Sequence, residues 1–194
     1  MREATVKRTT KETDIEACLK IEGSGKADID TGIGFFDHML CGFAKHGFFD
    51  LALHAEGDLN VDGHHTVEDC GIVLGEALKK AIGDKAGMSR YGYFILPMDD
   101  ALILCAVDFC GRPYFSWDLH VEEERCGDFE TVLAKEFFYA LSYSAGINLH
   151  FNQLNGENGH HILEAAFKAF GKAVDMATSI DSRVDGVLST KGAL

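Results

Sequence analysis

His64-His65-Thr66-Val67-Glu68 recurs 96 residues later as His160-His161-Ile162-Leu163-Glu164. The correspondence runs past the motif. Gly75, Ala77 and Ala81 return at the same offset as Gly171, Ala173 and Ala177, and Leu53-His54 returns as Leu149-His150. Self-similarity at one fixed offset is the mark of an internal duplication. The 194 residues divide on this reading into two related halves, 1–92 and 93–194, sharing one core.

Hydrophobic periodicity around the two turns predicts the elements. Ile15, Ala17, Leu19 and Ile21 alternate with polar residues as a strand does. Gly23-Ser24-Gly25 turns the chain, and a short strand through Ala27 and Ile29 follows. A helix is predicted over 35–46, a strand over 49–56, and a helix from His64 to about residue 82 with Val67, Val73 or Leu74, Ala77, Leu78 and Ala81 on one side. Gly83 and Gly87 end it. The second half repeats the order. Residues 101–109 read as a strand buried on both faces, 114–121 as an alternating strand, and 129–144 as a helix with Val132, Phe137, Ala140 and Leu141 on its stripe. A short strand over 147–151 and a helix over 160–179 complete it. The fold class is α/β in the α+β sense: a two-layer sandwich in each half, a mainly antiparallel sheet with two helices on one face.

Composition limits the partners. A formal charge of −13 lacks the basic face that nucleic acid requires. No run approaches the length of a membrane span, and Met1 to Arg8 contains no apolar leader core. Six cysteines form no C-x-x-C pair, and each is expected to be a reduced packing residue in a cytoplasmic, soluble protein.

The repeated turns carry the chemistry. Neighbouring positions on a helix point about 100° apart, so His64 and His65 cannot easily hold the same ion. Glu68 lies four residues after His64 and three after His65, within reach of either face. One His-His-x-x-Glu turn thus serves two sites, and two such turns build a pair of sites. Aligning Asp37-His38 with Lys135-Glu136 adds a ligand from the preceding helix of each half. The candidate metal set is His38, His64, His65, Glu68, Glu136, His160, His161 and Glu164. Mixed imidazole and carboxylate with open positions suits Mn²⁺ or Fe²⁺ better than a closed structural zinc. A lone His-His pair is an ordinary surface feature; duplication gives the pair its meaning. His54 and His150 read as structural strand residues. Candidate anion-binding groups are Arg90, Arg112, Lys168 and the tail Ser189-Thr190-Lys191-Gly192, whose donors suit phosphate. Two other readings fit the same ligands: a two-metal hydrolase, and a metal-buffering protein in which ions only join subunits.

Several segments together resemble the imidazoleglycerol-phosphate dehydratase family of histidine biosynthesis. They are Arg8 to Thr13, Gly34 to Leu40, His64 to Asp69, Asp108 to Pro113, Gly156 to His161, Phe167 to Phe170 and Ser189 to Gly192, spread over nearly the whole chain. The resemblance implies a hydro-lyase that converts imidazole glycerol phosphate to imidazole acetol phosphate. It implies two Mn²⁺ per active site, no organic cofactor, and a duplicated α+β half-domain of a kind also found as the second domain of a ribosomal protein. It further implies a homo-oligomer of 24 subunits in octahedral symmetry, with active sites between subunits. The eight ligands above match the family's metal positions. Arg90, Arg112, Lys168, Ser189, Thr190 and Lys191 match its phosphate site. Glu12 matches an acid or base at the substrate, with Glu68 and Glu164 able to move protons. His46, like His38, His64 and His160, falls among residues that line the substrate. Many members carry His where this chain has Glu136, and the tail more often reads Ser-Ser-Lys-Gly; Thr190 keeps the hydroxyl.

Overall fold

The computed structural model describes residues 2–194; Met1, the first residue of the first half, lies outside them. In chain order the elements are β1 (Glu3–Thr9), β2 (Thr13–Lys20), β3 (Ala27–Asp30), α1 (Gly34–Gly47), β4 (Asp50–Gly57), α2 (His64–Ile82) and β5 (Tyr91–Met98). There follow β6 (Ala101–Asp108), β7 (Tyr114–Asp118), a short hairpin of β8 (Arg125–Cys126) and β9 (Phe129–Glu130), α3 (Leu133–Ala145), β10 (Asn148–Asn155) and α4 (Gly159–Thr178).

The duplication is visible in the pairing. The first sheet has the order β1-β2-β4-β3 and the second β5-β6-β10-β7. In each, the first three strands are antiparallel and the last pair is parallel. Leu53 sits opposite Ala17 and Ile29; its repeat, Leu149, sits opposite Val107 and Phe115. Both leucines are fully buried. The β8–β9 hairpin has no counterpart in the first half. A division at 92/93 falls inside β5, which pairs with β6 from Tyr91 onward.

Each sheet buries one face under the helices of its own half. The helices of the two halves then pack on one another, α2 on α3 and α1 on α4. Glycine sets both crossings. A Cβ on Gly75 would stand 2.6 Å from the Leu141 carbonyl oxygen, and one on Gly171 would stand 2.6 Å from that of Phe43. The repeated glycine therefore marks where two helix backbones meet. Phe36, Phe43, Phe137, Phe138, Phe167 and Phe170 fill the space between them.

The outer faces differ. On the first sheet Lys7, Asp14, Glu16, Asp30, His54 and Glu56 line a polar surface. On the second, Tyr93 and Ile95 are exposed beside the half-buried Leu102 and Leu104.

Three expectations need correction. Residues 101–109 are not buried on both faces: β6 alternates buried and half-buried positions, because one face of its sheet has no covering layer. The helix expected from residue 129 begins at Leu133, since Phe129 and Glu130 pair with β8. Val132 accordingly lies outside the stripe, 60% exposed, whereas Phe137, Ala140 and Leu141 are buried as expected. Finally, β1 and β5 carry no strand expectation in the sequence. Only Val6 of β1 is buried, and β5 turns Gly92 inward against the Ala173 carbonyl.

Candidate metal and anion sites

Both His-His pairs occupy the first turn of a helix, and side chains fix where those helices begin. The Asp62 carboxylate accepts the His64 backbone N–H at 2.8 Å. The Asn158 side-chain oxygen accepts that of His161 at 3.2 Å. These contacts satisfy amides that have no partner within the helix. Consecutive rings diverge as helical geometry demands. The His64 and His65 centroids are 6.3 Å apart at 85°, those of His160 and His161 6.0 Å apart at 77°.

His160 turns toward α1. Its ring lies edge-on to Phe35 at 5.1 Å, and its Nε2 is 3.0 Å from the Glu164 Oε2. His38 on α1 brings its own Nε2 to 3.6 Å from the same oxygen. His38, His160 and Glu164 each offer a donor atom within 4.8 Å of the others, and no second trio among the described residues does so. α1 is held for this by Asp37, which accepts the Thr31 hydroxyl at 2.6 Å and its backbone N–H at 3.0 Å. Lys168, one turn beyond Glu164, donates to its Oε1 at 2.7 Å. Burial pushes the Glu164 carboxyl up, but the Lys168 ammonium, His38 and the His160 hydrogen bond outweigh it and hold the group below its ordinary value. An ionised carboxylate between two imidazoles is a donor set that fits a divalent transition metal.

The second crossing carries the repeat-related residues: His64 and Glu68 on α2, Glu136 on α3. The hydroxyl pKa of Tyr139 is raised first by Tyr143, then by burial, and last by the charges of Glu136 and Glu68. His46, in the last turn of α1, is half-buried. Desolvation pushes its imidazole down, and Lys168 and Lys172 push in the same direction.

His65 and His161 point elsewhere. The His65 Nδ1 is 3.0 Å from Asp58 Oδ2 and 3.8 Å from Glu12 Oε2. The His161 Nδ1 is 2.6 Å from Asp100 Oδ1. Hydrogen bonds that Asp58 and Asp100 accept raise the pKa of each ring against a weaker burial effect. Glu12 rides on the β1–β2 turn, which is tied to α2 through buried Asp69. That carboxylate accepts Arg8 Nε at 2.9 Å and the Thr13 hydroxyl at 2.5 Å.

Arg90, Arg112, Ser189, Thr190 and Lys191 line a cavity of about 650 Å³ together with Tyr91 and Arg183. Arg90 is braced: Asp108 accepts its Nε at 2.7 Å and Nη2 at 3.1 Å, and the Leu188 carbonyl accepts Nη1 at 2.8 Å. The Asp108 hydrogen bonds push its pKa up. Its backbone is left-handed, with φ of 69°, which a non-glycine residue adopts only under constraint. Arg183 is occupied by Asp181, at 2.9 and 3.2 Å from Nε. Lys168 stands at the histidine cluster, away from this cavity, and no histidine lines it.

Sequence reading missed Asp58, Asp100, Asp69 and Asp108. Unlike the six candidate ligands of the repeated turns, none of them recurs at the 96-residue offset: Asp58 corresponds to Leu154, Asp69 to Ala165, and Asp100 and Asp108 have Ala4 and Glu12 before them.

These features define a class: a duplicated α+β enzyme with an imidazole–carboxylate turn in each half and a separate cationic cavity. A family model described as imidazoleglycerol-phosphate dehydratase matches residues 31–174. A relative of that name from Lachnoclostridium phytofermentans is 58% identical over 193 residues, covering 100% of this chain and 98% of the relative. Another, from Caldanaerobacter subterraneus subsp. tengcongensis, is 58% identical over 194 residues and covers 100% of both chains. The crystal structure of imidazoleglycerol-phosphate dehydratase from Staphylococcus aureus aligns with a TM-score of 0.84 at 36% identity, over 92% of this chain and 99% of that one. The Pyrococcus furiosus structure aligns with a TM-score of 0.84 at 42% identity, over 97% and 100%. The chain belongs to the imidazoleglycerol-phosphate dehydratase family of hydro-lyases.

Proposed function

We propose that the chain dehydrates imidazole glycerol phosphate to imidazole acetol phosphate in histidine biosynthesis. The observation that carries this is the His38–His160–Glu164 cluster, set on a turn that the sequence repeats and separate from a cavity rich in anion-binding groups. Such a pairing suits a substrate with a nitrogen heterocycle at one end and a phosphate at the other.

His38, His160 and Glu164 would hold one divalent ion, and His64, Glu68 and Glu136 the second, with His65 and His161 completing the eight ligands. Two Mn²⁺ ions there would supply positive charge at the ring nitrogens and ease loss of the ring N–H proton. No organic cofactor is required.

Arg90, Arg112, Ser189, Thr190 and Lys191 would take the phosphate, and Lys168 would join them from the cluster side. The hydroxyl that departs is on the carbon attached to the ring; the hydrogen that departs is on the next carbon. Ring electrons would expel the hydroxyl, and Glu12 would give it a proton, so that water leaves. Glu68 or Glu164 can carry the remaining proton. The enol left behind tautomerises to the ketone.

His161 is turned away from the cluster that His160 helps to form, and His65 diverges from His64 in the same way. That supports a homo-oligomer in which they complete sites on other copies, in the 24-subunit arrangement, with His46 near the bound substrate. Purified protein supplied with Mn²⁺ and imidazole glycerol phosphate should yield a ketone product. No ketone from metal-loaded protein would refute the proposal.

A further inference from the structure

We infer that Asp58 and Asp100 are positioning residues that fix the tautomer of His65 and His161, leaving each Nε2 as the free lone pair for a divalent metal ion. The inference rests on the ligand reading of those two histidines and adds an outer layer to it.

The geometry is the same at both places. Each histidine meets a carboxylate oxygen at Nδ1, at 3.0 Å for His65 and 2.6 Å for His161. A carboxylate can only accept, so Nδ1 carries the proton, and in the neutral ring Nε2 is then the unprotonated nitrogen; at His161 that Nε2 lies 3.5 Å from the Asp99 Oδ2, the side from which an ion would be held. An imidazole held this way presents one lone pair in one direction and is a stronger donor than a free ring. The other pair of histidines is arranged differently: His38 and His160 direct Nε2 at Glu164, inside the cluster itself.

The two carboxylates reach this geometry by unrelated routes. Asp58 precedes its histidine by 7 residues, in the loop that leads into α2. Asp100 precedes its histidine by 61 residues, in the β5–β6 turn of the second sheet. Duplication copied the histidines but not their partners, so the same contact has been supplied separately in each half. A packing accident has no reason to recur on non-equivalent residues.

Asp58 gives a second, independent sign. Its Oδ1 is buried without a hydrogen-bond partner. A buried oxygen left so costs about 1–3 kcal/mol, and such a cost is retained where the group does something else. Among the described residues the His65 ring is its one hydrogen-bonded side-chain contact. Asp100 by contrast also accepts the backbone N–H groups of Glu157 and Asn158, at 2.7 and 3.0 Å, and so helps shape the entry to α4.

Asp58→Asn is the decisive variant, because it disturbs no backbone contact. Its neutral amide is a weaker acceptor than the carboxylate and can also donate, so the proton is no longer held on Nδ1 and the ring is a poorer metal donor. The affinity of the full chain for Mn²⁺, measured by competition with a chelator, should fall about 10- to 100-fold, while the melting temperature of the metal-free protein stays unchanged. Asp100→Asn should show a comparable loss of affinity. His65→Ala and His161→Ala, measured beside them, should lose the ion outright. Native affinity in both Asn variants, with loss in both Ala variants, overturns the positioning role and leaves the ligand reading standing. Native affinity in the Ala variants overturns both.

Discussion

Glu12 illustrates how a side chain can matter without recurring in the repeat. It stands on an exposed turn whose two flanks, Arg8 and Thr13, are gripped by Asp69 of α2. Helix and turn therefore move together, and Glu12 keeps its distance from His65. Glu12→Gln should lower kcat by roughly 10²–10⁴-fold, the range of a lost acid or base, with metal content by elemental analysis unchanged. Loss of metal would place Glu12 among the ligands instead. Arg112→Ala should raise KM for the phosphate substrate and leave bound metal alone; an unchanged KM and kcat would remove Arg112 from the phosphate site. His46 offers a pH test. Its folded pKa lies below the ordinary imidazole value, so the unfolded chain takes up the proton first as pH falls. The stability that His46 contributes should therefore be lost below about pH 6.5, so that, against the opposite contributions of His65 and His161, His46→Gln is the more acid-stable protein relative to its own neutral value. Parallel curves for the two proteins in denaturant titrations across that range would contradict the shift.

At the scale of elements, the helices were legible apart from the start of α3, and so were the edge strands β3 and β7, but β1 and β5 were not. The stripes on α2 and α4 follow the helical period, and almost every residue of them is buried. β1 hides only Val6, and β5 hides a glycine under α4, so neither gives a hydrophobic alternation to read. The eight candidate ligands stand out in the sequence because they are duplicated or aligned with the duplication, and the structure brings three of them, His38, His160 and Glu164, together. The aspartate partners do not stand out, because contacts made across loops and turns leave no spacing in the chain. Gly171 tests the helix crossing. Alanine there would gain about 1 kcal/mol in helix propensity, but its Cβ would stand 2.6 Å from a backbone oxygen that cannot swing aside. Overpacking of this kind costs about 1–3 kcal/mol, so Gly171→Ala should be net destabilising in chemical denaturation, and Gly75→Ala likewise. A stabilised Gly171→Ala protein would mean that α1 and α4 can separate freely.

The whole molecule has two unlike outer faces, one charged and one carrying Tyr93, Ile95, Leu102 and Leu104. Copies of the chain that bury apolar area would meet through the second. If ions complete sites between copies, they belong to the assembly as much as to catalysis. Removing Mn²⁺ with a chelator should reduce the particle size by light scattering, and restoring it should rebuild the particle. A size indifferent to chelator would separate assembly from metal.

The right-angled rings of each His-His pair have one more consequence. If the imidazole turned away on each turn serves a neighbouring copy, a solitary polypeptide is left with half-wired chemistry. Freshly made chains would then stay silent until they find their siblings, and turnover per molecule would fade on extreme dilution even though every copy remains folded.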